Sequence, residues 1–118
     1  MKPSRLSGRK VNDYLRRKGK PWKGTTMSIK WLKGAPKNPN LDPAKMAIYI
    51  GTAASIKLDK SAVRRNRMRR RCREGFRRTL KSHKKLPTIQ LLLTPRSASL
   101  DCDFDDIISD VESFLSQL

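Results

Sequence analysis

The sequence is poor in the side chains that most enzymes use for chemistry: it has one histidine, two cysteines and ten acidic residues among 118. A single histidine leaves no Ser/His/Asp or Cys/His arrangement for nucleophilic catalysis, and no glycine-rich loop is present to cradle a phosphate. Cys72 and Cys102 are far apart in sequence and cannot form a structural zinc site with one histidine. The chain therefore carries no catalytic constellation of its own.

Long apolar runs are also absent, and the N-terminus has no signal-peptide pattern, so we expect a cytoplasmic protein without a membrane segment. A disulfide between the two cysteines is not expected in that compartment. Four acids lie close together between Asp101 and Asp106. We interpret them as the cap and first-turn acids of a helix, favoured there by the helix dipole, and predict no metal site in the protein.

The abundant residues are basic. The net charge is +18, of which residues 1–85 carry +23 and residues 86–118 carry −5. This balance is typical of a nucleic-acid-binding protein, and it predicts that only one side of the molecule meets the polyanion. The length favours a single domain over 1–118, with residues 1–8 expected to be flexible.

One stretch, Ser61 to Leu80, organises the chain. It contains nine arginines and neither proline nor lysine, which favours a helix starting at a cap on Asp59 or Ser61. A narrow apolar stripe recurs every four residues, at Met68, Cys72, Phe76 and Leu80. The remaining circumference presents guanidinium groups, whose planar forks suit phosphate, so RNA or DNA is the expected partner.

Hydrophobic periodicity predicts five further elements. Apolar residues alternate in the strands, and the last helix has an amphipathic face that includes Ile107, Val111 and Leu115. A proline-rich loop over 34–43 separates the first two strands. The predicted elements are a helix over 9–18 that ends at Gly19, strands over 25–32, 45–55 and 88–94, and a final helix that begins after Asp101 or Asp103.

The segment from Ala62 to Phe76, AVRRNRMRRRCREGF, matches a known signature position by position. It resembles the RNR motif of the bacterial ribonuclease P protein component, A-V-x-R-N-R-x-K/R-R-x-x-R-E-x-F. Ser55, Lys57 and Leu58 are similar to the lead-in S-K-K-V of that family, although Ile56 replaces the first lysine. The resemblance implies an α+β sandwich of order α-β-β-(β)-α-β-α, with a central, mostly antiparallel sheet and an unusual left-handed β-α-β crossover.

The function that the resemblance implies is that of the protein subunit of ribonuclease P. That enzyme is a ribonucleoprotein endoribonuclease that removes the 5′ leader from precursor tRNA. The expected partners are the catalytic RNA subunit and precursor tRNA, with neither membrane nor DNA. The catalytic groups and the Mg²⁺ ions are expected to belong mainly to the RNA subunit and the substrate.

Two sets of residues are predicted to bind RNA. Polar residues of the motif and its lead-in are expected to contact the catalytic RNA, with Arg65 partly turned toward the apolar stripe: Arg64, Arg65, Asn66, Arg67, Arg69, Arg70, Arg73 and Lys57. Strand alternation places Tyr49 opposite Met46, Ile48 and Ile50, among small residues. We expect a shallow trough there that stacks and guides the single-stranded leader, lined by Tyr49, Lys30, Tyr14 and Ser28.

Two other functional classes stay open on charge and size alone. A structural RNA-binding protein, such as a ribosomal protein, would account for both the charge and the size. Such a protein would not need an open aromatic trough. A DNA-binding basic helix would need a dimerising heptad repeat after the basic region. The sequence after Phe76 reads RRTLKSHKK instead.

Overall fold

The computed structural model describes residues 3–6, 8–36, 47–83 and 85–118. Lys45 and Met46 of the predicted second strand lie outside these ranges, as does most of the predicted loop. The elements are, in chain order, β1 (Ser4–Arg5), α1 (Arg9–Lys18), β2 (Lys20–Lys23), β3 (Met27–Lys33), β4 (Ile48–Thr52), α2 (Ala62–Leu80), β5 (Ile89–Pro95), a 3₁₀ helix (Ser97–Leu100) and α3 (Phe104–Ser116).

The five strands form one sheet in the order β1-β4-β5-β3-β2. β2 pairs with β3 and β3 with β5 in antiparallel fashion, whereas β1 with β4 and β4 with β5 are parallel. Most of the paired residues are antiparallel, as expected, and β1 adds a short parallel pair that was not anticipated. α2 connects the parallel neighbours β4 and β5, which makes the expected β-α-β crossover; its left hand stays a prediction.

Two strands escaped the sequence analysis. β2 contains Pro21, two residues after the Gly19 at which α1 ends. Proline is tolerated in this strand because β2 lies at the edge of the sheet, where one side of its backbone needs no partner. β1 lies in the lead that was expected to be flexible, yet Ser4 pairs with Tyr49 and the following Leu6 is buried. Two residues are too short to show an alternating pattern.

α2 begins where the sequence predicts. The Ser61 hydroxyl accepts a hydrogen bond from the Arg64 N–H at 3.3 Å, and the Asp59 carboxylate accepts one from the Ser61 N–H at 2.8 Å. These bonds satisfy donors that have no partner inside the helix. The apolar stripe is buried as predicted, and Gly75 lies beside it. A Cβ at Gly75 would come within 2.7 Å of Ile107, so glycine permits the close approach of α3.

The main core lies between one face of the sheet and the two helices α2 and α3. Phe114 of α3 is at its centre, with its ring edge-on to Trp22, Trp31 and Phe76 at centroid distances of 5.6, 5.9 and 6.2 Å. α3 follows the residue predicted to cap it, Asp103, although that side chain makes no capping hydrogen bond. None of the helices within the described ranges is long and apolar enough to cross a bilayer.

α1 covers the opposite face of the sheet. Its buried Leu15 packs with Leu6, Tyr49 and Leu92 in a second, smaller core. The first turn of the helix lies over β4, where the side-chain oxygen of Asn12 approaches Gly51. Its end lies over β3, where Gly19 contacts Lys30. α1 therefore crosses the strands and divides this face of the sheet into two strips.

Candidate RNA-binding surface

The arginines of α2 separate into groups with different surroundings. Arg67 and Arg70 are exposed and make no hydrogen bond or ion pair with any described residue. Arg64 is exposed too, with only a long ion pair of 3.8 Å to Asp59. Arg73 is exposed and reaches the Thr52 hydroxyl at 3.2 Å. These four residues can turn their guanidinium groups to a phosphate at little cost to the fold.

Arg65 and Arg69 are half-buried, and both donate hydrogen bonds to backbone carbonyl groups of the segment that leads into α2. Arg65 donates to the carbonyl oxygens of Asp59 at 2.8 Å and Lys60 at 3.2 Å. Its side chain is half-buried, as expected, but the groups that it contacts belong to the segment before α2 and not to the sheet. Arg69 donates to the Asn66 side chain at 2.8 Å and to the Ala54 carbonyl at 3.2 Å. Both residues therefore fix the segment before α2 and also add positive charge to the surface.

Arg71 has a role that the sequence analysis missed. Its guanidinium donates to the carbonyl oxygens of Ser99 at 2.6 Å, Leu100 at 2.9 Å and Cys102 at 2.5 Å. It thus joins α2 to the 3₁₀ helix and to the chain that leads into α3. The motif alone does not reveal this, because Arg71 looks like its eight neighbours until the 3₁₀ helix is placed.

Near the end of α2, an acidic side chain pairs with two of the arginines. Glu74 forms ion pairs with Arg77 and with Arg78, the latter at 3.1 Å. The hydrogen bond from Arg77 is the main reason that the pKa of the Glu74 carboxyl falls to about 2. Arg78 also lies over the Phe104 ring, 4.6 Å from its centroid. The unpaired guanidinium groups are therefore concentrated in the first three turns of the helix.

Lys57 is exposed in the tight turn that precedes α2, which is closed by a hydrogen bond from the Leu58 N–H to the Ser55 carbonyl at 3.0 Å. It therefore lies next to the helix start. The structure thus brings the whole predicted set for the catalytic RNA onto α2 and the turn before it.

The predicted leader trough is not one cleft. Tyr49 does lie on the face opposite Ile48 and Ile50, but its expected exposure is wrong: α1 covers it, and 4% of its surface is accessible. Strand alternation predicts which face a side chain takes and says nothing of a helix that packs on that face. A buried ring offers no free side to a base.

The three remaining trough residues are separated by α1. Lys30 lies beneath the end of α1, and Ser28 lies beyond it, opposite Thr94 in the register. Tyr14 is on the other side of the helix, 48% exposed, and lines a cleft with Leu32. Whether any of them binds the leader stays a prediction: Ser28 and Lys30 share one face of β3, and the described lining of the Tyr14 cleft includes neither of them.

A groove at the edge of β4 contains residues that the sequence analysis did not select. β1 is so short that β4 is open beyond it, and two adjoining cavities of about 200 and 210 Å³ share Arg5, Ile50 and Arg73. Asn12 and Thr52 line the second cavity. The Asn12 side-chain oxygen is buried there without a hydrogen-bond partner. Arg73 belongs to the motif; nothing in the sequence marks Arg5 or Asn12.

Within the described ranges, no three histidine, cysteine, aspartate or glutamate side chains come together as a metal site. The described residues therefore form no ready-made site for Mg²⁺. Cys72 and Cys102 are both free thiols, and burial raises the pKa of Cys72 to about 12.

Comparison with known proteins decides the family. A family model described as ribonuclease P matches residues 1–118. The chain belongs to the ribonuclease P protein family. Members of this family are the protein subunit of ribonuclease P, the ribonucleoprotein endoribonuclease that processes the 5′ end of tRNA, and they partner with its RNA subunit.

Individual ribonuclease P proteins are similar along most of the chain. The ribonuclease P protein component of Synechococcus sp. is 28% identical over 116 residues, covering 96% of this chain and 90% of its own. That of Thermus thermophilus is 32% identical over 95 residues, which are 80% of this chain and 48% of the longer relative. The ribonuclease P protein structure from Thermotoga maritima superposes with a TM-score of 0.74 at 20% identity, covering 98% and 97% of the two chains. That likeness confirms the α+β fold.

Proposed function

We propose that this protein binds the RNA subunit of ribonuclease P through the outward face of α2, and the single-stranded leader of precursor tRNA through the groove at the edge of β4. The observation that carries the proposal is the set of exposed guanidinium groups at Arg64, Arg67, Arg70 and Arg73 in a chain of this family. These arginines face solvent, whereas others on the same helix are bound to carbonyl oxygens or to Glu74.

The chemistry of this face suits a folded RNA. Arginine forks bind phosphate oxygens in pairs, and contacts of this kind set the position of a protein on a nucleic acid. Asn66 lies among them, and its amide can reach a base edge or a 2′-hydroxyl. Like charges on successive turns repel one another, so a bound polyanion also relieves strain within the helix.

Replacing Arg67 and Arg70 together by Gln tests the helix contact. Each phosphate that is no longer neutralised lowers the slope of log affinity against log salt by about 0.7 to 0.9, so the double variant should lose up to about two units of slope. The measurement is a filter-binding titration with the RNA subunit at several salt concentrations. Arg78→Gln is the matched control because Arg78 already pairs with Glu74. An unchanged slope in the double variant would show that α2 is not the contact.

The groove at the edge of β4 supports the leader assignment by its charge and its open polar groups. Arg5 and Arg73 approach it from β1 and from α2, and the Thr52 hydroxyl and the Asn12 amide lie between them. Two cations can hold successive phosphates, and the Thr52 hydroxyl can hydrogen-bond a ribose hydroxyl. The groove adjoins the arginine face, so one strand can pass from α2 to the sheet.

Arg5→Gln tests the groove without touching the outward face of α2. The variant holoenzyme should bind leader-bearing precursor tRNA several-fold more weakly than the wild type, and mature tRNA equally well, because only the precursor has phosphates to place in the groove. Equal weakening for both RNAs, or for neither, would contradict the leader assignment. Lys81→Gln, at the far end of α2, is a control for loss of positive charge.

Catalysis is proposed to rest with the RNA. Membership of the family implies that Mg²⁺ is bound mainly by the RNA subunit and the substrate. The protein alone should therefore cleave no precursor tRNA at any Mg²⁺ concentration, and added RNA subunit should restore cleavage. Cleavage by RNA-free protein would refute this division of labour.

A further inference from the structure

Asn66 and Arg69 contact each other across one turn of α2, where residues three apart are neighbours on the helix surface. The guanidinium of Arg69 donates a hydrogen bond to the side-chain oxygen of Asn66 at 2.8 Å. Arginine has donors and no acceptor, so the atom of the Asn66 amide that faces it must be the oxygen; the amide nitrogen would place two donors against each other. The contact therefore determines which way the Asn66 amide is turned.

The other half of the Asn66 amide is free. Asn66 is exposed, and its side chain makes no second hydrogen bond to any described residue. Because Arg69 holds the oxygen, the outward group is an NH₂ with two donors. Arg70 follows four residues later, on the same side of the helix, and is exposed. Donors of this kind beside a free guanidinium suit an acceptor atom of RNA, such as a phosphate oxygen or a base carbonyl.

Arg69 itself is poorly placed to bind phosphate. It is half-buried, its second terminal nitrogen donates to the Ala54 carbonyl oxygen at 3.2 Å, and its Nε is buried. Two hydrogen bonds thus hold its guanidinium against the chain. Arg70, the next residue along, is exposed and makes no hydrogen bond or ion pair with any described residue. A phosphate would have to break contacts at Arg69 that Arg70 does not have.

We propose that Arg69 is a positioning residue, which fixes the Asn66 amide so that its two N–H groups face outward and bind an acceptor atom of the RNA. This inference deepens the proposed function and rests on it, because it requires that α2 contacts RNA. The acceptor belongs to the RNA subunit or to precursor tRNA, and both offer the same chemistry.

The free protein tests the orientation without any RNA. In the NMR spectrum of the full chain, the Asn66 side-chain NH₂ should have a heteronuclear NOE close to that of the backbone. Arg69→Met should lower this NOE clearly, because nothing then holds the oxygen. Arg65→Met is the matched control, since Arg65 also ties α2 to the segment before it but does not contact Asn66. A mobile Asn66 in the wild type, or an equally rigid one in Arg69→Met, would overturn the positioning role.

A double-mutant cycle tests whether Arg69 acts through Asn66. Asn66→Ala should weaken RNA binding about ten-fold, which is the scale of one hydrogen bond. Arg69→Met should weaken it by no more than that, and the Asn66→Ala/Arg69→Met variant should bind as Asn66→Ala does. If the two residues made independent contacts, their effects would multiply, to about a hundred-fold for two ten-fold losses, and that result would refute the proposal.

The salt dependence of binding separates positioning from charge. Arg69→Met should leave the slope of log affinity against log salt nearly unchanged, whereas Arg70→Met should lower it by about 0.7 to 0.9. A comparable loss of slope in Arg69→Met would make Arg69 a phosphate contact. Alanine and methionine are good helix formers and neither substitution removes a core side chain, so the variants should fold, which thermal melts can verify.

The same titrations identify the RNA that carries the acceptor. They are done with the RNA subunit and, on the assembled enzyme, with precursor tRNA; the acceptor belongs to the RNA whose binding Asn66→Ala weakens. If Asn66→Ala weakens neither, Asn66 does not bind RNA and the proposal fails. Arg70→Met distinguishes that failure from a failure of the proposed function: it still weakens binding if α2 contacts RNA without Asn66, and it has no effect if α2 is not the contact.

Discussion

Comparing Arg71→Met with Arg70→Met should separate two roles of neighbouring arginines in one motif: Arg71 stabilises the fold, and Arg70 contacts RNA. Arg70 faces solvent, whereas Arg71 donates three hydrogen bonds to the carbonyl oxygens around the 3₁₀ helix. Methionine keeps much of the aliphatic length and the helix propensity of arginine, so both substitutions chiefly remove a guanidinium.

The magnitude follows from those bonds. A hydrogen bond from a charged donor contributes about 1.5–3 kcal/mol. The three bonds share one guanidinium that is only half-buried, and water can reach part of the freed carbonyl groups, so we expect a total loss of about 2–4 kcal/mol. This is a large part of the 5–15 kcal/mol that is typical of a folded domain. Arg70→Met should change the free energy of unfolding by less than about 0.5 kcal/mol.

Urea unfolding and RNA-subunit binding, measured on both variants, check the argument. Arg71→Met should lower the urea midpoint and leave RNA affinity unchanged for the folded fraction. Arg70→Met should do the reverse. The reasoning would be refuted if Arg71→Met kept its stability while it lost RNA affinity, because Arg71 would then be a phosphate contact and its carbonyl bonds would carry little free energy.

Two further predictions concern the core. Phe114→Ala should destabilise the protein by about 3–5 kcal/mol, because it removes the ring that contacts Trp22, Trp31 and Phe76; a loss below 1 kcal/mol in urea unfolding would contradict its central place. Iodoacetamide at pH 8 should label Cys102 before Cys72, since burial holds the pKa of Cys72 at about 12 and the thiolate is the reactive form; equal labelling rates by mass spectrometry would mean that α2 leaves the core readily.

Local patterns predicted the elements that have enough residues to repeat a pattern. The stripe from Met68 to Leu80 placed α2 on the core, and alternation placed Ile29 and Ile50 on the correct face. The sequence left two candidates for the cap of α2, Asp59 and Ser61, of which Ser61 holds the position. β1 and β2 were missed for lack of such a pattern. Phe114 was left out of the predicted face although it follows Ile107 by seven residues and Val111 by three, which is helical spacing. Its place at the centre of the aromatic cluster depends on residues from three other elements.

For the candidate site, the sequence by itself determined the family, through the order of residues from Ala62 to Phe76, and the strongly basic face that this order puts on one helix. Only the tertiary structure decided which arginines are free. Arg70 and Arg71 are chemically identical, and a carbonyl group brought close by a distant segment is what distinguishes them. In the same way Tyr49 is buried, and Tyr14 and Gln90 share a cleft, because of where α1 crosses the sheet. Helix and strand periods arise from neighbours in the chain, whereas burial and hydrogen bonding depend on contacts between segments that no local pattern encodes.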